Sequence, residues 1–189
     1  IVAVQEIRAQ AVYQHLKIDK SLIKTFRHED CHKIYGYYSA PTTMSSPIVL
    51  TVEGMGDDSS ATFSEISDGG LIKEHFRSNE VNVGRLYRYV TLLLGMKPMQ
   101  HEYKVMGLAP YGNSYNGQAS LDIFRQINSV NGVEIENNSP FQDLYFSLKD
   151  ALEGQRFDGI AWGLQTFVEE FLAEWTANIC KKYENGNVI

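Results

Sequence analysis

Cysteine is nearly absent from this chain: Cys31 and Cys180 are the only two in 189 residues. Two thiols make no disulfide framework of the kind that staples small secreted domains, so reduced cysteines in a cytoplasmic protein are expected. Positive charge is scarce as well, with 17 Lys and Arg against 23 Asp and Glu, a net charge of −6. No basic stripe stands ready to offset phosphate repulsion, which argues against nucleic acid as a main partner. No apolar run approaches the roughly 20 residues that a helix needs to cross a bilayer, so no membrane partner is expected. Internal repeats, low-complexity tracts, a Ser-His-Asp arrangement and a nucleophile elbow are all missing.

What is present reads as a folded domain. Hydrophobic residues make up 43% of the chain and charged ones 21%, which excludes disorder. The length suffices for one domain with a substantial core. The chain opens on Ile1, without methionine, and closes on Val188 and Ile189, which look like the start of another strand. Residues 1–189 are therefore expected to be one fragment of a larger domain, with sheet continuing past both ends.

Hydrophobic spacing places the elements. Residues 7–16 carry a loose helical pattern, and residues 22–26 are apolar enough for a short buried strand leading into His28. Residues 32–38 read as helix or turn, ended by Pro41. Residues 48–52 (Ile-Val-Leu-Thr-Val) predict a buried strand because β-branched side chains pack well on a pleated surface. Residues 61–66 and 71–76 predict two more strands, and Ser67-Asp68-Gly69-Gly70 between them is a hairpin signal. Three strands with short turns make an antiparallel meander. Helices follow: one capped by Asn82 with Leu86, Tyr89, Val90, Leu93 and Leu94 on one face, and a shorter one through Leu121, Phe124 and Ile127. Residues 133–135 suggest a strand, and Leu144, Tyr145, Leu148 and Leu152 a further helix. The strongest helix runs through Leu164, Phe167, Val168, Phe171, Leu172, Trp175 and Ile179, with Lys181 and Lys182 suiting its C-terminal dipole.

Three stretches carry chemistry. His28-Glu29-Asp30-Cys31-His32 sets two histidines four apart, the spacing that lets both face one metal ion from a helix. Read literally it is H-E-x-x-H, the zinc-protease pattern with Glu29 as general base. No neighbouring residue offers an obvious third ligand, and Cys31 is expected to be a small buried side chain. Glu53-Gly54-Met55-Gly56-Asp57 joins two strands, and its glycines let successive N–H groups converge on a phosphate. There Glu53 and Asp57 are candidates for a hydrated Mg²⁺. Residues 101–112 (His-Glu-Tyr-Lys-Val-Met-Gly-Leu-Ala-Pro-Tyr-Gly) sit where a helix hands over to a loop. They pair an acid, Glu102, with an ammonium, Lys104, beside glycines that admit close backbone approach. Tyr35, Tyr37 and Tyr38 are expected in core and interface packing, with the lining of a pocket as the alternative.

The run at 101–112 resembles, nearly letter for letter, a signature of the nodulation-type carbamoyltransferase family, whose members carbamoylate hydroxyls of sugars or antibiotics. Members carry His-His-x-x-His after a short strand, and its outer histidines bind a metal, often iron. His28 and His32 match those outer positions, and Glu29 stands where the middle histidine is expected. The family's Asp-Gly-x-Gly matches residues 53–56 with Glu53 in place of aspartate, and a remaining metal ligand, an aspartate, would lie past Ile189.

The resemblance implies an α/β fold: a lobe of the ribonuclease-H-like or actin-like ATPase superfamily, a mixed sheet with an antiparallel meander packed by helices. It implies catalytic roles for Glu102 and Lys104. Contact with Mg-ATP or carbamoyl-adenylate would fall to Glu53, Gly54, Gly56, Asp57 and Gly107, and a divalent metal, often iron, to His28 and His32. The partners would be carbamoyl phosphate, ATP and a hydroxylated small-molecule acceptor, and a homodimer stays open. Carbamoyl-adenylate would form in a C-terminal domain absent from this chain, so the piece alone is expected to be inactive. A degenerate nucleotide-binding or scaffold module is the alternative that Glu29 and Glu53, both off the family pattern, keep open.

Overall fold

The computed structural model describes residues 2–41, 44–54, 56–67, 69–139 and 143–189; Met55 and Asp68 of the two turns lie outside them. Helix α1 (Val2–Leu16) leads through a 3-10 turn (Lys20–Leu22) to α2 (His28–Ser39). The strand expected over residues 22–26 is not formed. Leu22 and Phe26 are 74% and 71% exposed, so no partner covers the apolar run that suggested it.

Strands β1 (Ile48–Val52), β2 (Ala61–Ser67) and β3 (Leu71–Ser78) form the antiparallel meander, in the order β1-β2-β3. Ile48 pairs with Glu65 and Val52 with Ala61 across the first ladder. A bulge between Phe63 and Ser64 shifts the second. On the free edge of β1, Val188 forms a parallel bridge to Ile48, so the sheet is mixed at that edge. β2 is buried along nearly its whole length, with Thr51 and Thr62 hydroxyls 2.7 Å apart satisfying each other where water is excluded.

Helices α3 (Val83–Leu93), α4 (Glu102–Leu108), α5 (Ser114–Phe124), α6 (Leu144–Ala151) and α7 (Phe157–Tyr183) follow, with a second hairpin, β4 (Asn128–Asn131) and β5 (Glu134–Asn137), between α5 and α6. β4 had no signal in the sequence because Asn-Ser-Val-Asn is polar and only four residues long. Asn82 does precede α3, but its side chain does not cap it. The carboxamide instead donates to the Glu80 carbonyl, and the backbone N–H donates to Asn128. The 101–112 run is largely helical, α4 followed by a 3-10 turn at Ala109–Tyr111, not a loop.

α7 organises the core. Its buried stripe (Ile160, Leu164, Phe167, Val168, Phe171, Trp175, Ile179) recurs at helical spacing. Trp175 meets Phe63 and Phe76 of the sheet edge-on, and its indole N–H donates to the Val133 carbonyl at 2.9 Å. One side chain thereby joins sheet, hairpin and helix. At the other end α7 meets α5 through glycines. A Cβ on Gly159 would sit 2.0 Å from the Asn116 carbonyl oxygen, and one on Gly163 would sit 2.7 Å from the Leu121 nitrogen. No helix among the described residues is long and apolar enough to cross a membrane.

Candidate metal centre

α2 begins at His28, directly beside the turn that follows β1. The His28 N–H, first in the helix and without an intrahelical acceptor, donates to the Asp57 carboxylate at 3.0 Å. A carboxylate at a helix N-terminus also suits the helix dipole. Asp57 thus anchors the helix to the turn, and Arg8 of α1 lies 3.9 Å from it.

That anchoring brings three ligand-type side chains together. His28 Nε2 lies 2.7 Å from one oxygen of Glu53, His32 Nε2 lies 3.7 Å from the other, and the two imidazole nitrogens are 3.1 Å apart. All three groups fall within 4.8 Å of one another. The histidines are half exposed, whereas Glu53 is largely enclosed. Its Oε1 is buried and receives no hydrogen bond. Two imidazoles and a carboxylate are a metal-ligand set. Donors each held at about 2.1 Å by one ion stand no more than about 4.2 Å apart, and each imidazole lies within that distance of the other and of one of the two Glu53 oxygens. An acceptor oxygen buried without a donor is costly unless a cation faces it. The residues fit a divalent metal. Glu53, expected at a nucleotide-bound Mg²⁺, stands instead with the histidines, and it is the third candidate ligand that sequence spacing did not reveal.

Glu29 points elsewhere. It is 1% exposed, and its carboxylate accepts a hydrogen bond from Arg77 Nη1 of β3 at 2.6 Å. Burial works to raise its pKa. Hydrogen bonds from its own backbone N–H and from Arg77, with the Arg77 charge, outweigh that and hold it below the usual carboxylate range. A carboxylate locked under an arginine has no access to a metal-bound water, so the H-E-x-x-H protease reading loses its base. Arg77 also binds Glu74 through Nε and Nη2, each at 2.8 Å, and contacts Asp58. Glu74 is held down at about 2, first by the Arg77 hydrogen bond and also by Lys33, against the opposing effect of burial. Cys31, expected to be buried, is exposed.

The backbone of Glu53 and Gly54 packs against the first turn of α3. Arg85 Nε donates to the Gly54 carbonyl at 3.2 Å, and a Cβ on Gly84 would lie 2.4 Å from the Gly54 nitrogen. Glu102 and Lys104 lie outside the histidine–Glu53 cluster. The Glu102 carboxylate accepts the Met99 N–H of its own turn, and Lys104 is exposed, its ammonium 5.9 Å over the Tyr103 ring. Gly107 is exposed on α4, with open space where a Cβ would stand. Gly112 has a different reason to be glycine, since its Cβ would sit 2.3 Å from the Asp158 carbonyl oxygen of α7. Tyr35 and Tyr38 are mostly exposed, and Tyr37 and Tyr38 line a pocket of about 220 Å³ with Pro41, Met44, Pro47 and Ile189.

Comparison with known proteins bears on the same residues. A family model described as carbamoyltransferase N-terminus matches residues 2–188. The chain belongs to that family. It is 22% identical over 189 residues to the uncharacterized protein MJ1051 of Methanocaldococcus jannaschii, an alignment covering 96% of this chain and 36% of that protein. The carbamoyltransferase N-terminus chain thus spans about a third of the length of the curated relative it matches.

Proposed function

We propose that this carbamoyltransferase N-terminus is the metal-holding, nucleotide-facing part of an enzyme that moves a carbamoyl group to a hydroxyl of a small molecule. The carbamoyl group would come from carbamoyl phosphate by way of an ATP-derived carbamoyl-adenylate, in a lobe of the ribonuclease-H-like or actin-like class. One observation carries the proposal: the Glu53 carboxylate faces both imidazoles with one oxygen buried and unpartnered.

His28, His32 and Glu53 would hold a divalent metal; the donor set suits iron or zinc, and the family resemblance points to iron. When bound, it would supply Lewis acidity at the carbamoyl carbonyl. The chain's own residues do the rest. Gly54 puts no side chain where it abuts the first turn of α3, whose amide N–H groups suit a phosphate, and Gly56 packs tightly on the Ser59 backbone, where a Cβ would sit 2.3 Å from the carbonyl oxygen. Asp57 fixes α2 to that turn. Lys104, which forms no ion pair among the described residues, serves as a point charge for a phosphate or carbamoyl oxygen. Glu102 holds the turn that presents it, and Gly107 leaves room above α4. The alternative of a degenerate module gains nothing from Glu29, whose departure from the family pattern Arg77 accommodates.

Glu53→Gln decides between them. The full-length protein is expected to release pyrophosphate only with both ATP and carbamoyl phosphate, and the 189-residue chain to release none. Glu53→Gln is expected to weaken Co²⁺ binding, measured by calorimetry, by at least about tenfold and to abolish transfer without unfolding the chain. Unchanged Co²⁺ affinity in this variant, or no pyrophosphate from the full-length protein, would sink the proposal.

A further inference from the structure

The helix that carries the two histidines is seated in an unusual way. On α2, residues 28 and 32 share one face, and residues 29 and 33 share another, about 100° round the axis. The first face meets Glu53. The second faces β3, and its two residues, Glu29 at 1% exposure and Lys33 at 0%, are the only fully buried side chains of the helix. Both are charged, and both are met by charges from one strand. Arg77 Nη1 donates to Glu29 at 2.6 Å, and Lys33 Nζ donates to Glu74 at 2.9 Å. An apolar seat tolerates some rotation and sliding, because dispersion contacts are non-directional. A guanidinium fork does not, since its donors point along fixed directions.

Arg77 does more than seat the helix. The same guanidinium contacts Asp58, which belongs to the turn that bears Glu53 and follows Asp57, the acceptor of the His28 N–H. One arginine therefore holds both ligand-bearing segments: α2 through Glu29, and the turn through Asp58. We propose that Arg77, with buried Glu29 as its partner, is a positioning residue that fixes the rotation of α2 and, through Asp58, the placement of Glu53, so that His28 and His32 meet it. This rests on His28, His32 and Glu53 being metal ligands. The Glu29–Arg77 pair then acts through geometry, without touching substrate. Glu29 Oε2 is buried with no partner, so Glu29 depends on this pairing to remain in place.

The test uses Arg77→Met, Arg77→Lys and the double variant Glu29→Met/Arg77→Met in the full-length protein. Two readouts are taken: hydrogen exchange of α2 amides without metal, and Co²⁺ affinity with its visible absorption spectrum. Arg77→Met is expected to speed α2 exchange and weaken Co²⁺ by at least about tenfold each, with α7 exchange unchanged. Arg77→Lys, which keeps the charge but loses the fork, is expected to fall between and guards against a variant that does not fold. The double variant no longer strands a buried charge, so it is expected to recover α2 protection. Its Co²⁺ affinity is expected to stay weak, because the link to Asp58 is still gone. Wild-type affinity and spectrum in Arg77→Met, or full recovery of both in the double variant, would overturn the proposal. A wild-type protein that binds no Co²⁺ refutes the metal reading and with it the positioning role, whatever the exchange arm says of how α2 is docked.

Discussion

Gly84→Ala is the sharpest probe of how rigidly the candidate centre is built. The new methyl would lie 2.4 Å from the Gly54 nitrogen, and 2.7 Å from both the Gly54 Cα and the Glu53 carbonyl carbon, where ordinary contact begins at 3.4 Å. These are backbone atoms, so no side chain can swing away. The turn or the first turn of α3 must retreat by about 1 Å, a displacement large enough to cost about 100-fold where reacting groups are placed by contact. Overpacking of this kind costs about 1–3 kcal/mol. In a chain of this size that is a fall in Tm of about 2–12 °C. The retreat also pulls Gly54 from Arg85 and swings Glu53 relative to the histidines, so metal affinity should fall along with stability. Thermal unfolding with and without Co²⁺ separates the two: the variant should melt lower and gain less from added metal. If Gly84→Ala melts within about 1 °C of the parent and gains as much from Co²⁺, the turn is not wedged against α3 and the reasoning fails.

Other expectations are simpler. Gly107 stands within α4 over open space, so Gly107→Ala should stabilise the chain by about 0.5–1 kcal/mol, measured by urea unfolding. If it also lowers transfer by the full-length enzyme, Gly107 admits a ligand; if activity is kept, the open space is incidental. Glu74 has a folded pKa of about 2 against an ordinary value of 4.5, first through Arg77. A depressed folded pKa means stability that is present above pH 4.5 and is lost as pH falls toward 2. Glu74→Gln should therefore flatten the acid limb of the stability–pH curve over that window, and an unchanged limb would show that the pairing carries no linkage. Lys104→Met should leave Co²⁺ affinity unchanged while reducing transfer, since Lys104 stands apart from the cluster.

Much of the fold was legible because its elements obey local periodicities. The β-branched run at 48–52 became β1 with the expected bounds, and the apolar stripe from Leu164 to Ile179 lies within α7. Failures came where a local signal lacked a tertiary partner. Residues 22–26 are apolar, yet nothing covers Leu22 or Phe26, so no strand forms. Asn82 has the right identity for a cap, but the buried amide of Asn128 takes its N–H and the Glu80 carbonyl takes its carboxamide. The 101–112 run, with its glycines and proline, has the local signal of a helix handing over to a loop. Its first seven helical residues are held instead by Val105, which packs in the core at 0% exposure.

Residue order alone determined most of the strands and helices, that His28 and His32 share a helix face, and that the 101–112 signature resembles the family's, because these are properties of near neighbours. Tertiary structure alone decided that Glu53 joins the histidines, that Glu29 turns inward to an arginine 48 residues away, and that Lys104 stands outside the cluster. Such pairings depend on how a helix is rotated against a sheet, and that angle is set by burial and charge across distant segments, which no local spacing encodes.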